Sequence, residues 1–307
     1  VKHSLVSIVI PCYQSAGNVP ELTTALQALY DQLPEDVKIE IVIVDDGSTD
    51  GSFQALEHLK EILDCSVVIV KLSGNFGSYP AFLAGLHFAK GDCCVQLHAD
   101  LQDPPDHIPE MIKHWKNGFK LVIGQRIDRE EPGLYTMLAK MYHRMIKTIA
   151  LPYIPEGGYD LILFDRSLRD HIVNMNESNT NLVYLISWLR YPYVTVPVVR
   201  RKRIIGESQW TFSKRIKLVI DSLVSFSYFP IRMVSLGALI NLLLWAVTSI
   251  TGLAGIYPLV FMDWLAYTAL TGIFISISVV AEYLWRTLEA TRKRPPFIID
   301  KVINSHP

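Results

Sequence analysis

Two acidic clusters in this 307-residue chain each follow an apolar run. Asp45-Asp-Gly-Ser-Thr-Asp50 comes after Ile39–Val44, and Asp100-Leu-Gln-Asp103 comes after Cys93–Leu97. Carboxylates of the first kind accept hydrogen bonds from a base N–H and from ribose hydroxyls, and Gly47 permits the tight turn that would expose Asp45 and Asp46. Asp-Gly turns also arise for structural reasons alone, so that reading stands beside it. In the second cluster the Asp100 carboxylate and the Gln102 amide oxygen can share one hard cation, which prefers oxygen ligands. Such a cation would bridge and neutralise a departing diphosphate. The competing reading is a polar loop feeding a helix near His107, which Pro104-Pro105 suits.

A third group is basic. Arg200-Arg-Lys-Arg203 precedes Gly206-Glu-Ser-Gln-Trp210 and an amphipathic stretch from Phe212 to Phe229. Lys214, Arg215 and Lys217 lie on or near one side of it, and Leu218, Val219, Leu223, Val224 and Phe226 supply the apolar part. A basic amphipathic helix directly before a membrane span reads as lying in the lipid interface, the alternative being an ordinary surface helix.

These groups need elements to position them. Apolar runs Leu5–Ile10, Ile39–Val44, Val67–Leu72, Cys93–Leu97 and Leu121–Ile123 read as buried strands. Glu21–Leu33, Phe53–Leu63, Pro80–Ala89 and His107–Lys116 carry helical spacing. This alternation predicts a mostly parallel sheet covered on both faces. Ligands bind such sheets beyond the C-terminal ends of the strands, where both acidic clusters fall. Residues ~126–205 are less regular, with helices expected near Leu134–Ala150 and Asn181–Leu189 and a strand near Tyr193–Val199.

Bulk properties narrow the class. Net charge is −1 and the pI about 6.8, so no basic field points to nucleic acid. A mean hydropathy of +0.24 with 50% hydrophobic residues is high for a soluble enzyme. The excess lies near the end: Met233 to Met262 has no charged residue, and after Asp263 none returns until Glu282. Two membrane spans fit there, at about 20 apolar residues each. Arg232 before them and Arg286, Arg292, Lys293 and Arg294 after them, with no Lys or Arg in Gly255–Asp263, predict a hairpin with both ends cytoplasmic. No signal peptide is visible in Val1–Cys12. The four cysteines show no metal-ligand spacing, and Cys93 and Cys94 would face opposite sides of a strand.

Taken together, the motifs resemble glycosyltransferase family 2. Ser7-Ile-Val-Ile-Pro-Cys-Tyr13, Val44-Asp-Asp-Gly-Ser-Thr-Asp-Gly51, Asn75-Phe-Gly77, Ala89-Lys-Gly-Asp92 and Asp100-Leu-Gln-Asp-Pro-Pro105 occur in that family's order and spacing. Gly157-Gly-Tyr-Asp160, Phe164-Asp-Arg166, Arg203-Ile-Ile-Gly-Glu-Ser-Gln-Trp210 and the two spans are similar to the polyprenyl-phosphate hexosyltransferases related to dolichol-phosphate mannose synthases. The resemblance implies a GT-A type domain over 1–205, a juxtamembrane segment over 206–232, two spans within 233–285 and a cytoplasmic tail over 286–307. It implies Pro11, Tyr13 and Asp45 or Asp46 around the nucleoside, and Mg2+ or Mn2+ on Asp100 and Gln102. Asp160 would sit by the reacting centre, Arg203 would meet phosphate near the bilayer, and Ser208 and Gln209 would join it on the acceptor side. A homo-oligomer is compatible with it. Three positions depart from the pattern: His98 replaces an acid, Gly74 an arginine, and Gln209 a lysine.

The implied reaction moves a hexose from a nucleotide sugar, UDP-linked by resemblance only, to undecaprenyl or dolichyl phosphate in cell-envelope or glycoconjugate synthesis. A phosphate monoester, with a second pKa of about 6, arrives ionised and needs no general base. Asp160 would therefore orient substrate or metal rather than take a proton. Two readings compete: a transferase with a hydroxyl acceptor that elongates a polysaccharide, and a membrane-tethered nucleotide-sugar binder without activity. A nucleotidyltransferase is disfavoured by the absence of a P-loop type Gly-rich loop.

Overall fold

The computed structural model describes residues 3–127, 133–155, 159, 161–175, 180–201, 212–253 and 260–304. The chain divides into two compact units. The first comprises Val1–His143, Tyr153–Thr211 and Pro295–Pro307; the second comprises Arg144–Pro152 and Phe212–Arg294.

The first unit is built on an eight-stranded sheet in the order β7-β5-β6-β4-β1-β2-β3-β8. Its strands are β1 (Ser4–Cys12), β2 (Val37–Asp45), β3 (Ser66–Leu72), β4 (Cys93–Gln96), β5 (Leu121–Arg126), β6 (Leu161–Asp165), β7 (Tyr193–Val198) and β8 (Ile299–Asn304). β1, β2, β3 and β4 pair in parallel, as do β5 and β7, while β6 and β8 run antiparallel to their neighbours. The central strands are continuous apolar runs because both faces are covered. Cys93 packs into the core on one face and Cys94 into the core on the other, as the two-residue period of a strand requires.

Helices fill the connections: α1 (Val19–Gln32), α2 (Ser52–Ile62), α3 (Ser78–Phe88), α4 (Ile108–Lys116), α5 (Gly133–Ile149), α6 (Arg166–Met175) and α7 (Leu182–Leu189). In α1, Pro20 occupies the first turn, where its missing N–H costs nothing, and Leu22, Leu26 and Leu29 form the buried stripe. Asn181 caps α7 through its side chain, which accepts from Val183 N at 2.9 Å.

Two strands depart from the expectation. β6 lies in the segment read as irregular, and β8 lies in the segment read as a tail. β6 is only 5 residues long, too short to announce a period. β8 reads Ile-Asp-Lys-Val-Ile-Asn on an edge with most side chains exposed, so burial leaves little pattern in it.

The second unit holds α8 (Phe212–Phe226), α9 (Phe229–Leu253) and α10 (Val260–Arg292). Phe229–Val247 and Thr268–Arg292 are long and apolar enough to cross a membrane. Neither is buried in protein, and Leu239, Leu242, Leu243 and Trp245 are each more than half exposed, unlike a soluble core helix. Arg286 Nη2 reaches Asp221 at 2.7 Å and Glu282 at 2.9 Å within this unit.

Candidate active site

The parallel strands β1, β2, β3, β4, β5 and β7 all end on the same side of the sheet, and their following loops bring the predicted residues together. Asp46 N donates to Cys12 O at 2.8 Å, joining the loops after β1 and β2. Gln14 N donates to Ser48 Oγ at 2.9 Å, and Ser15 N to Ser52 Oγ at 2.8 Å. Asp50 accepts from Ala16 N at 3.1 Å and from Ser52 N at 3.0 Å. The Ser48–Ser52 turn thus holds the β1 loop in place. Pro11 is buried in β1 beside Val44 of β2, and Tyr13 stands half-exposed at its end.

Asp45 and Asp46 divide the work. Asp46 accepts from Phe76 N at 2.7 Å and from Gly77 N at 2.9 Å, so it fastens the loop after β3. Burial pushes its pKa up to about 6, against the pull of those two N–H groups. Asp45 Oδ1 accepts from Ser48 N at 3.3 Å, but its buried Oδ2 meets no protein donor among the described residues. Burial raises the Asp45 pKa as well. An acceptor left unmet in a buried position is unfavourable unless a ligand supplies the donor. Gly47 takes φ +68°, and a Cβ at residue 47 would lie 2.4 Å from the Gly74 carbonyl carbon. Only glycine lets these two loops approach so closely.

The loop after β4 carries the second cluster. Asp100 Oδ1 accepts from Gln102 N at 3.3 Å. Gln102 accepts twice from the chain after β7: its Oε1 from Arg200 Nη2 at 2.6 Å and its backbone oxygen from Arg201 N at 2.7 Å. Arg201 Nη2 also reaches Asp106 Oδ2 at 2.6 Å. Beneath them buried Asp103 lies 3.8 Å from Arg126 at the end of β5. His98 has its pKa lowered, by burial first and by Arg200 and Arg126 last, although Asp100 and Asp103 oppose this. It enters the cluster as a neutral imidazole, with Gln96 Nε2 at 3.4 Å from its Nε2.

The Asp100 carboxylate and the Gln102 amide oxygen suit a divalent cation only with further oxygens from substrate, since Gln102 Oε1 already accepts from Arg200 Nη2 at 2.6 Å. Asp100 and Gln102 are hard oxygen ligands, and among the described residues no group of three or more His, Cys, Asp or Glu could hold a metal by itself. Mg2+ binds in this way, through one or two protein oxygens together with phosphate oxygens and water.

Of the other predicted residues, Asp160, Arg203, Ser208 and Gln209 lie outside the described residues. Leu161, directly after Asp160, opens β6 beside the end of β4, where Ile162 pairs with Gln96. Sequence reasoning missed the Asp103–Arg126 pair and the hold of Arg200 and Arg201 on the Gln102 loop. The charges are visible in the sequence, but their partners, 23 positions away for Asp103 and 98 for Gln102, are not.

A parallel α/β sheet with acidic loops at its strand ends is the frame of the GT-A glycosyltransferases. The chain belongs to glycosyl transferase family 2, whose model matches residues 7–189. It is a glycosyltransferase. It is 31% identical to an undecaprenyl-phosphate 4-deoxy-4-formamido-L-arabinose transferase of Pseudomonas fluorescens, over 98% of this chain and 91% of that one. It is also 31% identical to a prophage bactoprenol glucosyl transferase homolog of Escherichia coli, over 97% of this chain and 99% of the other. Among solved structures, glucosyl-3-phosphoglycerate synthase of Mycobacterium tuberculosis shares the fold, with a TM-score of 0.51 at 16% identity over 72% of this chain and 79% of that one.

Proposed function

We propose that the protein transfers a hexose from a nucleotide sugar, UDP-linked by preference, to polyprenyl phosphate at a membrane surface, for envelope glycan or glycoconjugate synthesis. Near end-to-end similarity to two relatives named for lipid-phosphate carriers supports this, and one structural observation carries it. β8, which follows the two apolar helices, joins the same sheet as β1 to β7, which precede them. If both helices cross the bilayer, the chain leaves and returns on one side, so the whole sheet belongs to the side on which the carrier's phosphate is to be met. Arg232, Arg286, Arg292, Lys293 and Arg294 mark that side as cytoplasmic. The division into a catalytic domain over 1–205, a juxtamembrane segment over 206–232, spans within 233–285 and a closing segment over 286–307 belongs to this reading.

In the reaction a phosphate oxygen of the carrier attacks the anomeric carbon. The bond from that carbon to the donor's diphosphate breaks, and nucleoside diphosphate leaves. Pro11, Tyr13, Asp45 and Asp46 form the nucleoside end, with Asp45 Oδ2 meeting a donor N–H or hydroxyl. Asp100 and Gln102 would hold an Mg2+ or Mn2+ ion, which would supply charge neutralisation for the leaving diphosphate. The acceptor is already ionised at neutral pH, so Asp160 orients reactants rather than taking a proton. Arg203, Ser208 and Gln209 receive the carrier's phosphate.

The test is a screen of radiolabelled nucleotide sugars with undecaprenyl phosphate, using the full chain in lipid nanodiscs with metal. A labelled lipid-phosphate sugar is expected. Transfer only to hydroxyl acceptors, or donor binding without turnover, would replace this reading with one of its two competitors.

A further inference from the structure

β8 does more than cover an edge. It pairs antiparallel with β3 from Val68–Asn304 to Leu72–Ile299, with a register shift between Lys71 and Leu72. Just beyond the ladder, Ser73 N donates to Ile298 O at 2.9 Å. Ser73 is the first residue of the loop whose Gly74 lies against Gly47 and whose Phe76 and Gly77 amides are held by Asp46. The entry to that loop is therefore fixed by the segment after the apolar helices and its far end by Asp46.

The same segment reaches α2 and α3, the helices that follow the loops after β2 and β3. Phe297 packs edge-on against His87 of α3, with ring centroids 5.6 Å apart. Lys301 lies 3.3 Å from Glu57 of α2, and Lys60 of α2 donates to Asn304 O at 3.2 Å. Lys71 of β3 and Lys301 of β8 both stand over the Phe53 ring at the start of α2, at 5.1 and 5.2 Å. The exposed ion pairs contribute little by themselves. The main-chain bonds, ending at Ser73 N and Ile298 O, define where β3 ends and its loop begins, and the Phe297 ring anchors the start of the segment on α3.

We propose that the segment Phe297–Asn304 is a positioning element of the donor site, holding the Ser73–Gly77 loop against Asp46 and Gly47 without touching the donor. Nucleotide affinity then depends on chain that lies beyond both spans. This rests on the donor-site reading above, and the experiment separates the two.

The full-length chain carrying Val302→Pro and Ile303→Pro together loses a ladder donor in β8 whichever of the two amides faces β3. Hydrogen exchange would be followed in residues 73–77 and in β1, and binding of UDP and GDP measured by calorimetry. The expected result is faster exchange at Phe76 and Gly77 with β1 unchanged, and a nucleotide Kd raised at least ~10-fold, a cost of about 1.4 kcal/mol. Exchange at 73–77 that stays at wild-type level while β8 itself exchanges freely would overturn the proposal, as would a Kd within twofold of wild type. Should the double variant not fold, Phe297→Ala decides by the same two readouts, with a Kd change of roughly threefold expected. A wild-type chain that binds neither nucleotide would sink the donor-site reading, while the exchange result would still decide the brace.

Discussion

The two ends of the sheet use the same residue types to opposite effect. At the end where β1 and β4 begin, carboxylates are closed into the fold. Buried Glu40 accepts from the Ser7 hydroxyl and from the Lys90 and Gly91 amides. Asp92 accepts from Leu5 N at 3.0 Å and faces Arg166 at 3.4 Å, while Arg166 Nε donates to Gly91 O at 2.9 Å. Asp165 is raised by burial, but hydrogen bonds from Ser167 and Trp115 outweigh this and hold its pKa below the ordinary value. At the other end Asp45 and Asp46 are raised by burial, and one Asp45 oxygen goes unmet. Asp46, met by two amides of its own chain, is the anchor at that end, whereas Asp45, left one donor short, is set for a ligand.

Substitutions at the two ends should therefore separate folding from chemistry. The largest effect is expected for Asp100→Ala, with turnover falling about 10³-fold, roughly 4 kcal/mol of transition-state stabilisation, and melting temperature retained. A variant with near wild-type rate, or wild-type activity without metal, would remove the ion from Asp100. Glu40→Ala should do the reverse. Leaving the Ser7 hydroxyl and two backbone amides without their acceptor should cost about 3 kcal/mol of folding stability, with the donor KM of the surviving protein unchanged. A changed KM at intact stability would erase the contrast between the ends.

Asp46 tests the electrostatic half of the comparison. Its folded pKa of about 6 lies above its unfolded value of 3.8, so between these values the native state binds more protons. Stability from this group is then present at low pH and lost as pH rises through 6. The wild-type chain should gain on the order of 2 kcal/mol on Asp46→Asn between pH 7.5 and pH 4.5. Thermal unfolding of both proteins at the two pH values measures it, and parallel pH profiles would refute the assignment. Asp45→Asn is expected to leave folding intact and weaken nucleotide binding about 10-fold, because its Oδ2 has no protein donor to lose. A destabilised Asp45→Asn with unchanged binding would make Asp45 another structural carboxylate.

Much of this was legible from residues in order. Ile39–Val44 and Cys93–Leu97 announce buried strands by composition, and the parallel-sheet rule puts Asp45 and Asp100 at their ends. What could not be read was how each acid is employed. Asp45 and Asp46 are adjacent and chemically identical. Only the approach of Phe76 and Gly77, 30 and 31 positions away, distinguishes the loop anchor from the unmet acceptor. Ala89-Lys-Gly-Asp92 and Phe164-Asp-Arg166 belong to the family pattern, yet the structure gives them to the closed end, where Arg166 ties one to the other. β8 escaped notice because it pairs with a strand more than 200 residues earlier.

The smallest effect is expected at Gly74, where the sequence departs from the family pattern. Two reasons could require glycine there, and the geometry removes both. The left-handed conformation that excludes side chains is found at Gly47 and Gly77 but not at Gly74. A Cβ at residue 74 would meet nothing within 4 Å, so the close contact with Gly47 is made by the Gly74 backbone alone. Gly74→Arg should therefore fold with a stability change of less than about 0.5 kcal/mol, the scale of an unconstrained surface substitution. The added guanidinium would stand on the loop that Asp46 holds and offer a cation to the donor's diphosphate. At most threefold tighter UDP or GDP binding is expected, roughly 0.6 kcal/mol, and the gain should fade with salt because the site is open to solvent. Unfolding of the variant would mean that the Gly47–Gly74 approach leaves less room than the Cβ position implies. Weaker binding in a folded variant would mean that the diphosphate lies elsewhere.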